Sequence, residues 1–157
     1  MFNIKNDNQV YPLFFGEELG LSDAFNVTYP KILEADQKQR ELFWAADEIS
    51  LVQDHQDFLE VSENVYELMI RALSFQLAGD SVANGSIATL FLPILTNPQA
   101  KGLVSYWNDT ESVHDRAYSL IVAQCFNDPN YLLERIRHDE KLIRRLEPIL
   151  LNFKEHM

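Results

Sequence analysis

The sequence predicts an all-α protein built from long antiparallel helices. Three observations carry this reading. From Pro30 onward, apolar residues recur at steps of three and four, the period of one helical face. Pro and Gly mostly fall at the edges of the periodic segments, where helices start and stop. No stretch alternates apolar and polar side chains as a half-buried strand does.

Taken in order, residues 1–29 read as an extended arm. Its apolar patch, Tyr11-Pro12-Leu13-Phe14-Phe15-Gly16, is closed by Gly16, with Gly20 soon after, and suits packing on a helical body better than a place in a sheet. Pro30 sits where a first helical turn accepts proline. A helix through Ile32, Ala35, Leu42 and Phe43 is expected to run to Trp44. A second segment begins near Asp47-Glu48 and breaks up around 54–57. The third helix starts near Ser62, which can cap it. It carries Val65, Leu68, Met69, Ala72, Leu73 and Gln76 and continues past Gly79 to Ala88 or beyond. Pro93 and Pro98 frame a connection over 92–99, and a fourth helix covers about 100–126. Asn127-Asp128-Pro129 stops that helix and starts the last one. There Leu132, Leu133, Ile136, Leu142, Ile143 and Leu146 lead through a kink at Pro148 to Ile149, Leu150 and Phe153.

A length of 157 residues is one domain's worth. With 46% hydrophobic and 24% charged residues the balance is globular, which excludes collagen and wholly disordered or low-complexity chains. Thirteen Lys+Arg against 24 Asp+Glu give a net charge of −11, the wrong sign for a protein that tracks a phosphate backbone, so no nucleic-acid partner is expected. One cysteine, Cys125, forbids an internal disulfide and fits a reducing compartment. No apolar run reaches the ~20 residues of a membrane span. The N-terminal MFNIKNDNQ lacks the apolar core of a signal peptide. The expectation is a soluble cytoplasmic protein with no membrane partner.

Most charges fall on polar helix faces, but a few interrupt apolar ones. On the third helix the stripe through Val65, Met69, Ala72 or Leu73, and Gln76 meets Asp80 next. On the fourth it runs Val104, Trp107, Glu111, His114, Tyr118, then Ile121, Val122 and Cys125. A carboxylate on a core face needs a cation, a proton or a metal nearby. Asp, Glu and His on facing helices are the form a non-haem metal site takes in a bundle. Glu111-Ser-Val-His114 places both heads on one side of the helix. Tyr118 lies four residues on, roughly 6 Å along the axis, beside such a site rather than in it. Asp80 precedes Glu111 by 31 residues, so a helix, a Pro-framed turn and an antiparallel return bring the two level.

Each residue has a plainer reading. Glu111 and His114 form a satisfied core pair, Asp80 caps a helix after Gly79, and Tyr118 is half-buried packing. Together, on two core faces, they favour a metal. His55, His138 and His156 sit among charges and read as solvated, and Cys125 reads as a small core residue rather than a nucleophile.

At these residues the sequence resembles the radical-generating small subunit of class I ribonucleotide reductase. The likeness covers nearly the whole chain. It includes Pro12-Leu13-Phe14-Phe15-Gly16, Leu42-Phe43-Trp44 with Asp47-Glu48-Ile49, Phe75-Gln76 leading to Asp80-Ser81, Leu92-Pro93-Ile94, and Asn127-Asp128-Pro129. It is strongest in WNDTESVHDRAY, Trp107 to Tyr118. The resemblance implies a ferritin-like helical bundle and a dinuclear metal centre, usually di-iron, with manganese or a mixed pair as alternatives. Asp80, Glu111 and His114 would be the first half of its ligands. Tyr118 would carry a stable radical, and Trp44 would relay an electron. The large subunit would receive the radical and reduce ribonucleotides to deoxyribonucleotides.

The family also uses a further Glu and a second Glu-x-x-His. Beyond Tyr118, Glu134-Arg-Ile-Arg137 lacks the His, and Glu155-His156 has the wrong spacing. Three ligands on one wall leave a metal pair under-coordinated. The expectation is therefore the N-terminal half of a split small subunit. Residues 30–157 would form the half-bundle, and a second polypeptide would supply the other ligands and the tail. The assembled subunit would be a dimer. The apolar face over 136–153 offers an interaction surface for that partner, or folds back on the third and fourth helices. Two other classes compete. One is a homodimeric metalloprotein whose copies share one site. The other is a non-catalytic module that pairs with an intact small subunit.

Overall fold

The computed structural model describes residues 12–17, 25 and 27–155, with Phe153 described by its backbone alone. His156, Gly20 and most of the expected arm lie outside the described residues. Among the described residues six helices follow one another: α1 (Pro30–Glu41), α2 (Asp54–Glu60), α3 (Glu63–Phe91), α4 (Pro98–Cys125), α5 (Pro129–His138) and α6 (Glu140–Glu155), with a 3₁₀ turn at Ala46–Glu48. Among the described residues there is no strand, only an isolated bridge between Phe14 and Leu95. The all-α expectation holds.

The chain forms two compact units. The first comprises 1–43 and 85–110, the second 44–84 and 111–157. In the first, residues 12–16 lie against the α3–α4 connection. The Phe15 N–H donates to the Ile94 carbonyl at 2.7 Å, and the Thr96 hydroxyl donates to the Pro12 carbonyl at 2.6 Å. Gly16 permits the fit, because a Cβ there would lie 2.9 Å from Pro12 Cγ. Asn97 starts α4 by accepting the Ala100 N–H at 3.0 Å, and Pro98 follows at the position proline prefers. Arg40 is bidentate to Asp36, both bonds 3.0 Å, and covers the Tyr106 ring at 4.5 Å.

In the second unit, Phe58, Ile70, Val122, Cys125, Phe126 and Leu132 make the core. Phe58 stacks obliquely on Phe126 with centroids 5.1 Å apart. Glu67 of α3 accepts both arms of Arg135 of α5, at 2.8 and 2.6 Å. Asp128 caps α5 by accepting the Asn130 N–H at 3.0 Å, with Pro129 behind it, as expected from Asn127-Asp128-Pro129.

Four details differ from the sequence reading. Residues 54–57, where a helical segment was expected to break up, instead begin α2. α1 ends at Glu41, not Trp44, and Leu42 and Phe43 are exposed. The last helix is two helices, not one with a kink at Pro148. Asp139 adopts an extended backbone, and its carboxylate accepts the Lys141 and Leu142 N–H groups, each at 3.0 Å, which starts a new helix. Pro148 stays inside α6 on an exposed side, where water can take up the carbonyl it leaves unbonded. Finally, the buried face of α3 centres on Ile70 and Ser74, with Met69 and Leu73 of the expected stripe packed beside it, while Val65, Leu68, Ala72 and Gln76 are exposed. The apolar face over 136–153 divides: Leu142 and Leu146 are buried, and Ile143, Ile149, Leu150 and Leu151 are exposed.

Candidate metal centre

The second unit contains all five residues that sequence reasoning singled out. Asp80 comes from α3, and Glu111, His114 and Tyr118 come from α4. One ligand atom each of Asp80, Glu111 and His114 lies within 4.8 Å of the others. His114 Nδ1 is 3.3 Å from Glu111 Oε2 and 3.6 Å from Asp80 Oδ2. All three side chains are half-buried. The i, i+3 spacing on one helix and the 31-residue return thus do what their arithmetic implied. Two polar pairs stitch α3 to α4 around the cluster. Ser81 donates to Asp115 Oδ1 at 3.3 Å, and Ser112 donates to Asn84 Oδ1 at 3.2 Å. Sequence reasoning missed these four. Their signal was position, since Ser81 and Asp115 directly follow Asp80 and His114.

The electrostatics are set by the two carboxylates sharing this half-buried site. Burial pushes the Asp80 carboxyl above its ordinary range, and the neighbouring Glu111 pushes it further. His114 and a hydrogen bond from the Tyr118 hydroxyl oppose this without cancelling it. Burial also raises the Tyr118 phenol, as do the charges of Asp80 and Glu111. Two carboxylates and an imidazole converging on one point form a donor set that suits a hard or borderline divalent metal such as iron or manganese. A cation held among these donors would offset the repulsion.

Trp44 stacks on His114 with centroids 6.0 Å apart and planes at 26°. His138 is exposed, but His55 is not solvated as expected. It is half-buried, with Nδ1 3.1 Å from the Cys125 carbonyl. Cys125 is 3% exposed within the core, and burial pushes its thiol up, so it is not an activated nucleophile. Among the described residues no second group of three metal-ligating side chains converges, and no helix is long and apolar enough to cross a membrane.

Comparison with known proteins agrees with this geometry. The family model described as "Ribonucleotide reductase, small chain" matches residues 22–156. The chain is 28% identical over 145 residues to the ribonucleoside-diphosphate reductase subunit beta of Haemophilus influenzae, covering 92% of this chain and 39% of the relative. It superposes on the ribonucleotide reductase R2 subunit from Clostridium botulinum with a TM-score of 0.88 at 22% identity, covering 99% of this chain and 49% of the other. It also superposes on the Rnr4 homodimer of Saccharomyces cerevisiae with a TM-score of 0.69 at 24% identity, covering 79% and 40%. The helices are thus arranged in the ferritin-like fold of those subunits. The chain spans about two fifths of the length of the curated relatives it matches.

Proposed function

Because this chain belongs to the ribonucleotide reductase small-chain family, we propose that it is the N-terminal half of a split small subunit serving the reduction of ribonucleotides to deoxyribonucleotides. Residues 1–29 are its arm and 30–157 its half-bundle. Asp80, Glu111 and His114 are half of the ligand set for a dinuclear iron, manganese or mixed centre, and a second polypeptide supplies the rest. The observation that carries this is the convergence of those three side chains on two helices, with Tyr118 four residues beyond His114 on the same helix.

A metal pair held there supplies the oxidising power for one-electron chemistry. The chain's own groups do the rest. Tyr118 loses an electron and its hydroxyl proton, and the Asp80 carboxylate, near enough to the phenol to raise its pKa, is placed to take the proton. Trp44, stacked on His114, passes an electron between the site and the surface facing the large subunit. The assembled subunit dimerises, a reading supported by the likeness to Rnr4 of Saccharomyces cerevisiae, which is a homodimer, and it works in the cytoplasm with the large subunit.

Metal content tests the assembly. The untagged chain is purified with whatever polypeptide accompanies it, then loaded with ferrous iron without oxygen. Two irons per complex of this chain and a second polypeptide, with little iron on this chain alone, is the expected result. Two irons per pair of identical chains would replace the split subunit with a site shared between copies. No iron in either preparation would leave a non-catalytic pairing module.

A further inference from the structure

A second charged feature lies within the same unit, away from the carboxylate cluster. α3, α5 and α6 enclose a cleft of about 190 Å³. Arg71, Arg135, Lys141 and Arg145 line it, with Asp139 as its only lining carboxylate. In a chain of net charge −11, four converging cations are not a sample of the average surface.

The default reading of exposed arginines is a solvated face, and here the pairing pattern opposes it. Arg135 is committed, with both terminal nitrogens on Glu67. Arg71 reaches the same Glu67 oxygen at only 3.9 Å. Asp139 turns its Oδ1 to the Lys141 and Leu142 N–H groups, and those bonds first, then the nearby Arg135 and Arg71, hold its carboxyl below the usual range. Lys141 and Arg145 have no carboxylate partner among the described residues. They stand four apart on α6, where like charges repel. Lys141 also occupies the first turn, where the helix dipole favours an anion. The cleft therefore carries a surplus of positive charge that an anion relieves. Phe75, 48% exposed, and Leu142 give it one apolar wall.

We propose that this cleft binds a small phosphate dianion, free or as a monoester whose apolar part lies against Phe75. Lys141 and Arg145 are the primary contacts, and Arg71 closes the third side. Arg135 is the fixed wall, held by Glu67.

Calorimetric titration of the full 157-residue chain with inorganic phosphate and with phenyl phosphate, at low ionic strength, tests this. Saturable one-to-one binding is expected. The Lys141→Gln/Arg145→Gln variant should bind at least about tenfold more weakly, the loss expected for charge-assisted hydrogen bonds. Arg144→Gln, which alters a charge on the same helix outside the cleft, should bind as the parent does. Tighter binding of phenyl phosphate, lost in Phe75→Ala, identifies a monoester site. Equal affinities identify the inorganic anion. Binding that does not saturate, that survives the double variant, or that Arg144→Gln weakens equally would overturn the proposal. Unchanged circular dichroism in each variant excludes unfolding as the cause.

Discussion

Removing the Ile70 side chain tests which face of α3 holds the second unit together. Ile70 has 0% exposure within the core formed with Val122, Phe126 and Leu132. Truncation to alanine loses its transfer free energy and leaves a cavity, together about 2–5 kcal/mol. In a domain of this size each kcal/mol moves the melting midpoint by about 2–4 °C, so Ile70→Ala should melt roughly 4–20 °C lower. Leu68, two residues away, is 68% exposed. Leu68→Ala should stay within about 0.5 kcal/mol, or about 2 °C. The assay is far-UV circular dichroism of the metal-free chain during heating. A urea series should show a lower midpoint with unchanged slope for Ile70→Ala. Equal losses in the two variants, or the larger one in Leu68→Ala, would refute the assignment and move the buried face of α3 to the side of Leu68. Ile70 also anchors the helix that carries Asp80, so Ile70→Ala should weaken iron retention more than Leu68→Ala does.

Other expectations follow from the site and the ion pairs. Asp80→Asn should act in opposite directions on two readouts. It should raise the melting point of the metal-free chain, because the raised carboxyl is destabilising once ionised, and it should weaken metal binding by at least the ~10–100-fold that losing an outer-shell partner costs. A variant that binds metal normally would remove Asp80 from the ligand set. Tyr118→Phe should retain metal and lose the radical; loss of metal would instead make Tyr118 part of the framework. In acid, Glu67 and Asp139 set the trend. Hydrogen bonds from Arg135 lower the first, and N–H bonds chiefly from Leu142 lower the second. Their stabilisation is present above the ordinary carboxyl values and disappears as pH falls through the lowered folded-state ones. Melting of the metal-free chain should therefore fall progressively below about pH 4, and Glu67→Gln should flatten part of that fall. An unchanged acid profile in Glu67→Gln would show that the Arg135 pair contributes nothing.

The long helices were legible because their boundaries are chemical. Asn97-Pro98 and Asp128-Pro129 combine a capping side chain with a proline that fits the first turn. The carboxylate–histidine cluster was legible because helical spacing alone puts Glu111 and His114 together, and the Pro-framed return brings Asp80 level. The end of α1 was not, since Leu42, Phe43 and Trp44 continue an apolar pattern that the fold leaves largely exposed. The stripe of α3 was legible only in part, through Met69 and Leu73, for a related reason. Apolar residues surround much of that helix, so two stripes compete, and only packing against α4 and α5 selects the one through Ile70. The break at Asp139 was readable as an Asp cap before Lys141-Leu142, but no Pro or Gly drew attention to it.

The central claim is that this chain carries the radical tyrosine and half of a metal centre. An electron paramagnetic resonance spectrum tests it most directly. The untagged protein is isolated with its co-purifying polypeptide, given ferrous iron and air, and compared with the isolated chain treated in the same way. The account predicts a tyrosyl signal in the complex, absent from the isolated chain and absent from the complex made with Tyr118→Phe. A signal from the isolated chain, or one that persists in Tyr118→Phe, would contradict it.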